Sequence, residues 1–167
     1  MQRKQAYLKE LDIRYKESEY KNILREQIRE PSQVYKAVKS LEDATQEKVL
    51  GIFVSDELDE PVFQHLAVGS TDHAFVDLKY LMRQALLTLS NGFILVHNHP
   101  KGDPYPSKAD REIIQQLRQL AKFHDIQFID FMVIGKDSYW SLYEEEGQIY
   151  QLQSMSDQKN PPRVNGL

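Results

Sequence analysis

The sequence predicts a three-layer α/β or α+β domain, in which a sheet is covered by helices. Three observations carry that expectation. Strand-like and helix-like segments interleave along the chain. Phe93-Ile-Leu-Val96 is an uninterrupted apolar run, the pattern of a strand buried on both faces. The stretch from Lys108 to His124 carries Ile113, Ile114, Leu117 and Ala121 at helical spacing, a stripe suited to covering such a sheet.

Residues 1–31 form a charged extension. Within it Leu11-Asp-Ile-Arg-Tyr15 alternates like a short strand, and the part from Tyr20 to Ile28 has helical character. Pro31-Ser32 starts a helix whose buried face is Val34, Ala37, Val38 and Leu41. Strands are expected at Lys48 to Val54 and Val62 to Val68, separated by an acidic turn from Asp56 to Pro61. Asp77 to Leu89 is an amphipathic helix with Leu78, Leu81, Met82, Ala85 and Leu89 on one stripe, closed by Asn91-Gly92 in a left-handed cap. After the apolar strand come a Gly/Pro-rich loop and the helix to His124. Further strands are expected at Ile126 to Ile134 and Tyr139 to Tyr143. The main domain thus runs over 32–150, and the polar tail 151–167, with Asn160-Pro-Pro162, is expected to be disordered.

Composition narrows the chemistry. The chain has no cysteine, which excludes disulfides, iron–sulfur clusters and thiolate zinc sites, so any metal must take imidazole and oxygen ligands. A net charge of −4 argues against a general polyanion binder, although a local basic patch stays open. No apolar run approaches the roughly 18 residues of a membrane span, and the first residues lack the apolar core of a signal peptide. A cytoplasmic protein is expected, with no membrane partner.

The chemistry concentrates between Val96 and Asp110. Side chains two apart on a strand share a face, so His97 and His99 project together where Pro100 ends the strand. Two adjacent imidazoles are half of a zinc site, yet a His-x-His pair also arises by chance as core or surface histidine. Burial of both without a partner would carry a desolvation cost, so the pair asks for a compensating ligand. Ser107-x-x-Asp110 has its own plain reading as a helix capping box. Asp110 nevertheless precedes Ile113 and Ile114 by three and four residues, which turns it toward the buried stripe, where a bare carboxylate must be paired or metal-bound. Cap and ligand are compatible roles.

The pattern His97-x-His99-Pro100, then Ser107-x-x-Asp110, resembles the motif of the JAMM (MPN-plus) zinc metalloproteases. The fuller wording His97-Asn98-His99-Pro100, Gly102-Asp103-Pro104 and Pro106-Ser107 resembles its RadC-type bacterial branch. Flanking similarity extends over Val76 to Leu87, Asp130 to Gly135 and Ser138 to Gly147, so the resemblance spans roughly residues 40 to 147. It implies a cytidine-deaminase-like three-layer sandwich (the JAB/MPN domain), with a mixed central sheet flanked by helices. It implies a zinc ion on His97, His99 and Asp110 with one position left for water, and a glutamate on an early strand as general base. Glu47 is the residue here that matches, although Glu42, Asp43, Glu57 and Glu60 are nearby acids and spacing alone does not separate them. Zinc so held lowers the pKa of its water to about 7. Glu47 would move the proton, and the Ser107 hydroxyl would donate to the developing oxyanion. The implied reaction is hydrolysis of a peptide or isopeptide bond in a protein substrate.

Two positions depart from the RadC-type pattern: Lys101 stands where a small residue is usual, and Phe131 where a histidine is usual. Lys101 puts a positive charge at the rim, which would favour an acidic substrate, or is simply a solvated loop residue. His65 and His73 are expected at the surface in or beside loops, and His124 at a helix end. Arg111, Arg118 and Lys122 fall on the polar face of the helix, Trp140, Tyr139 and Tyr143 on core or edge. A rival function is association with nucleic acid in DNA repair, the traditional label of RadC-type proteins. Their upstream helix-hairpin-helix domain uses glycine, and no glycine precedes Gly51 here. A third reading is a non-catalytic scaffold, which predicts degraded ligands, yet all three are present.

Overall fold

The computed structural model describes residues 11–17, 28–55, 61–69 and 76–147. Five strands form one sheet in the order β2-β1-β3-β4-β5: β1 (Lys48–Val54), β2 (Val62–Val68), β3 (Gly92–Asn98), β4 (Gln127–Gly135) and β5 (Ser138–Ser141). β1 pairs antiparallel with both β2 and β3, β3 runs parallel to β4, and β5 returns antiparallel. The sheet is therefore mixed. Every residue of β3 is buried, as its unbroken apolar sequence requires.

Alternate residues of the strands feed two separate cores. On one face Leu50, Ile52, Ile94, Val96 and Met132 pack against Val34 and Val38 of α1 (Pro31–Val38). On the other, Val49, Phe93, Leu95 and Phe131 pack against α2 (Leu78–Leu87) and α3 (Lys108–Phe123). Helix, sheet and helix make the three layers. α3 carries Ile114, Leu117 and Ala121 inward, and it joins β3 to β4 as the crossover that a parallel pair needs. A fourth, one-turn helix α4 (Leu142–Glu145) follows β5 directly. No described helix is long and apolar enough to cross a membrane.

Several local features differ from the sequence expectation. Leu11 to Tyr15 is neither strand nor buried; Leu11, Ile13 and Tyr15 are all exposed, because alternation without a neighbouring strand has nothing to pair with. The helical stretch expected from Tyr20 falls outside the described residues except for Ile28, which is buried in the α1-side core. Val34 to Leu41 divides into α1 and a 3₁₀ turn, Lys39–Asp43. The left-handed residue after α2 is Leu89, at φ 52°, rather than Asn91 or Gly92. The Leu89 amide donates to the Leu86 carbonyl (3.2 Å) and the Ser90 amide to the Ala85 carbonyl (3.1 Å), which closes the helix before Leu89; that side chain is exposed rather than on the buried stripe, and Gly92 opens β3. Tyr143 lies in α4 and not in a strand, because the buried Asp130 carboxylate accepts from the Ser141 hydroxyl (2.7 Å) and the Tyr143 amide (3.0 Å), bending the chain inward. His65 sits within β2 and not in a loop. His73, the acidic turn after Ser55 and the tail lie outside the described residues.

Candidate metal centre

The site forms where β3 ends beside the N-terminus of α3, the carboxyl edge of a parallel strand pair. His97 is the last inward residue of β3 on the α3 face, paired with Val49 of β1 and Val133 of β4. His99 lies one residue beyond the strand, but its amide still donates to the Ile134 carbonyl (2.9 Å), so β4 holds it in register. The two rings are 4.8 Å apart at 87°. Ser107 caps α3 in a reciprocal box: the Asp110 amide donates to Ser107 Oγ, and the Ser107 amide donates back to Asp110 Oδ2. That box aims the Asp110 carboxylate at both imidazoles.

The distances describe a single convergence. His97 Nε2 lies 3.3 Å from Asp110 Oδ1, and His99 Nε2 lies 3.5 Å from Asp110 Oδ2. Glu47 immediately precedes β1. Val49 pairs with His97, so the same antiparallel register carries Glu47 to the level of His99 and onto the same face. Its Oε1 lies 3.7 Å from His97 Nδ1. One donor atom each of Glu47, His97 and His99 lies within 4.8 Å of the other two. Asp110 meets the same imidazoles with one oxygen each, Oδ1 toward His97 Nε2 and Oδ2 toward His99 Nε2, whereas Glu47 approaches His97 from its Nδ1 side. Glu47, His97 and Asp110 are buried, and the His99 side chain is 18 % exposed, so the site opens on the His99 side.

Electrostatics agree with that geometry. Burial pushes the Asp110 carboxyl up, but the imidazoles and the two bonds from Ser107 outweigh it and bring it down to about 2. The Asp110 carboxylate raises His99 above the usual imidazole value, against the opposing effect of burial, and the Asp103 carbonyl adds to the rise. His99 Nδ1 is 2.8 Å from that carbonyl; a carbonyl only accepts, so Nδ1 carries the hydrogen and Nε2 faces the site. His97 Nε2 is buried and has no hydrogen-bond partner among the described residues. A buried imidazole nitrogen without a partner, beside an ionised carboxylate and a second Nε2, fits a divalent cation with nitrogen and oxygen ligands such as zinc.

Ser107 Oγ donates to Asp110 Oδ2 at 2.6 Å, so its hydrogen is directed at the carboxylate; donation to an oxyanion requires that bond to be released. Phe131 packs its ring edge-on to His97, 5.2 Å between centroids, and walls the site on the sheet side. Sequence reasoning passed over Asn98. It is buried on the opposite face of β3, where its Oδ1 accepts from the Lys48 amide (2.7 Å) and its Nδ2 donates to the Gln46 carbonyl (3.2 Å). Those two groups flank Glu47. The signal available was a polar residue in an otherwise apolar strand, between two histidines.

The RadC-like JAB domain matches residues 28–148. A UPF0758 protein of Thermotoga maritima is 32 % identical over 116 residues, 70 % of this chain and 52 % of its own length. Another from Coprothermobacter proteolyticus is 35 % identical over 96 residues (57 % and 41 %), and one from Vibrio cholerae 41 % identical over 76 residues (46 % and 48 %). The chain spans about half the length of the curated relatives it matches.

Proposed function

The chain belongs to the RadC-like JAB domain family, and from that footing we propose that it is a zinc-dependent hydrolase of the JAMM type, acting on a peptide or isopeptide bond. The observation that carries the reading is the convergence of both histidine Nε2 atoms on one buried carboxylate, with a second carboxylate alongside. His97, His99 and Asp110 would hold the metal through two nitrogens and one oxygen. Zinc held by three protein ligands supplies a Lewis acid that lowers the pKa of a water to about 7 and polarises an amide carbonyl.

The remaining steps fall to side chains. Glu47 would take the proton of the attacking water on a carboxylate oxygen and return it to the leaving amine nitrogen. Asp110, kept ionised by the two imidazoles and the Ser107 bonds, offsets part of the cation's charge. Phe131 and the buried strands keep bulk water from the sheet side, so hydrolysis proceeds from the open His99 side. Arg111 and Arg118, two of the four basic residues of α3, are paired with Glu145 and Glu146, which lowers the net positive charge that face offers a phosphate backbone.

The test is incubation of zinc-loaded protein with a panel of peptides and lysine isopeptides, read by mass spectrometry. Cleavage by the parent and its loss in Glu47→Gln at unchanged zinc content is the expected result. Equal cleavage by parent and metal-stripped protein overturns the reading.

A further inference from the structure

We infer that the turn between β4 and β5, through Gly135 and the Lys136 amide, is the positioning device that fixes the His99 tautomer; the inference rests on the metal-site reading above for its function, but not for its geometry. The loop from His99 to Pro104 is gripped at three successive points on the end of β4. The Ile134 carbonyl accepts from the His99 amide at 2.9 Å. At Gly135 the loop backbone lies where a side chain would be: a Cβ there would stand 2.5 Å from the Gly102 oxygen and 2.9 Å from the Pro104 nitrogen. The Lys136 amide donates to that same Gly102 oxygen at 3.0 Å.

Between the gripped residues sits Asp103, whose carbonyl takes the hydrogen of His99 Nδ1. The Gly102 amide donates to the His99 carbonyl at 2.8 Å, closing a tight turn that Gly102 supports with φ 88°. The loop therefore has little freedom to carry the Asp103 carbonyl away from the ring while Gly135 and Lys136 hold it. With Nδ1 protonated by this contact, the Nε2 lone pair is left for the cation, and the ring plane is set as well. The requirement at Gly135 is one of space, since its neighbours are backbone atoms that no rotamer change removes.

Two substitutions separate this role from general damage. Asp137 has positive φ (49°) and Lys136 negative φ in the turn closed by the Gly135–Ser138 pair, so the φ sign at Lys136 is one that proline adopts. Lys136→Pro suits that φ and removes the amide hydrogen, and its ring Cδ, standing where the hydrogen pointed, also pushes the Gly102 oxygen away. Lys136→Ala is its control, because it keeps the amide and loses only the exposed ion pair with Asp43. Gly135→Ala presses on the loop directly.

Zinc affinity is measured by competition with a chromophoric chelator, and the His99 tautomer by ¹H–¹⁵N correlation of the imidazole in metal-free protein in mildly alkaline buffer. In the parent, His99 should appear with Nδ1 protonated and slow to exchange. Lys136→Pro and Gly135→Ala should mix the tautomers, speed that exchange and weaken zinc binding about ten- to a hundredfold; Lys136→Ala should do neither. A folded Lys136→Pro protein with the parental imidazole pattern overturns the inference, whether or not Gly135→Ala folds. If the parent binds no zinc while the tautomer still responds to Lys136→Pro, the positioning stands and the metal reading falls.

Discussion

Asn98→Ala removes a side chain that is 1 % exposed and spans the two residues flanking Glu47. Three bonds are lost: the 2.7 Å contact from the Lys48 amide, the 3.2 Å contact to the Gln46 carbonyl and a long 3.5 Å contact to the Ala44 carbonyl, the weakest of them. A net hydrogen bond contributes about 1 kcal/mol, and a donor left without a partner costs about 1–3 kcal/mol. Gln46 is exposed and can turn to water, while the half-buried Lys48 amide is less free to do so, which puts the total at about 2–3 kcal/mol. For a domain of this size each kcal/mol moves Tm by about 3–5 °C, so Tm should fall by about 6–15 °C in a thermal melt. Asn98→Asp keeps the acceptor for Lys48 but turns a carboxylate toward the Gln46 carbonyl, and it should be at least as unstable. Below the transition both variants should bind zinc as the parent does, because β3–β4 pairing and the α3 cap set the ligands, yet hydrolyse the substrate at least tenfold more slowly through displacement of Glu47. A variant that melts within a degree of the parent, or one that loses zinc and activity together while folded, would refute this assignment.

Three further outcomes are expected. Glu47→Gln should retain one zinc while lowering hydrolysis by about 10²–10⁴-fold, read as kcat with metal content measured on the same sample. Ser107→Ala removes the cap and one bond to Asp110, which should lower stability by about 1–2 kcal/mol in a denaturant titration and loosen zinc several-fold. Zinc affinity should fall with falling pH, the decline beginning above the usual imidazole range near 6.5, because His99 is raised in the metal-free chain and a bound proton there competes with the cation. For folding without metal, the same raised group contributes stability that is full below about 6.5 and lost as pH rises through its folded value, so chelator-treated protein should melt lower in alkaline buffer.

Much of the fold was legible because its signals are local. The unbroken apolar run of β3 and the stripe of α3 follow from burial on two faces and on one, and both stand where the sequence placed them. The polar alternation at Leu11 to Tyr15 misled because pairing is not a local property. The end of α2 moved because the left-handed closing residue is Leu89, a residue type that gives no sequence signal for that conformation. At the site, the period of a strand brings His97 and His99 together, and the capping box turns Asp110 inward. Glu47 could not be singled out from its acidic neighbours by spacing, since its place depends on the β1–β3 register, which no segment encodes alone. The roles of Asn98 and Gly135, one known only as part of the motif and the other as a strand stop, were hidden for the same reason: each acts through backbone atoms remote in sequence.

The most direct test of the central claim is metal analysis of the purified protein beside His99→Ala, on samples shown to be folded. About one equivalent of zinc in the parent and little in the variant is the outcome this geometry requires. Equal metal in both, or none in a parent supplied with zinc, would contradict it.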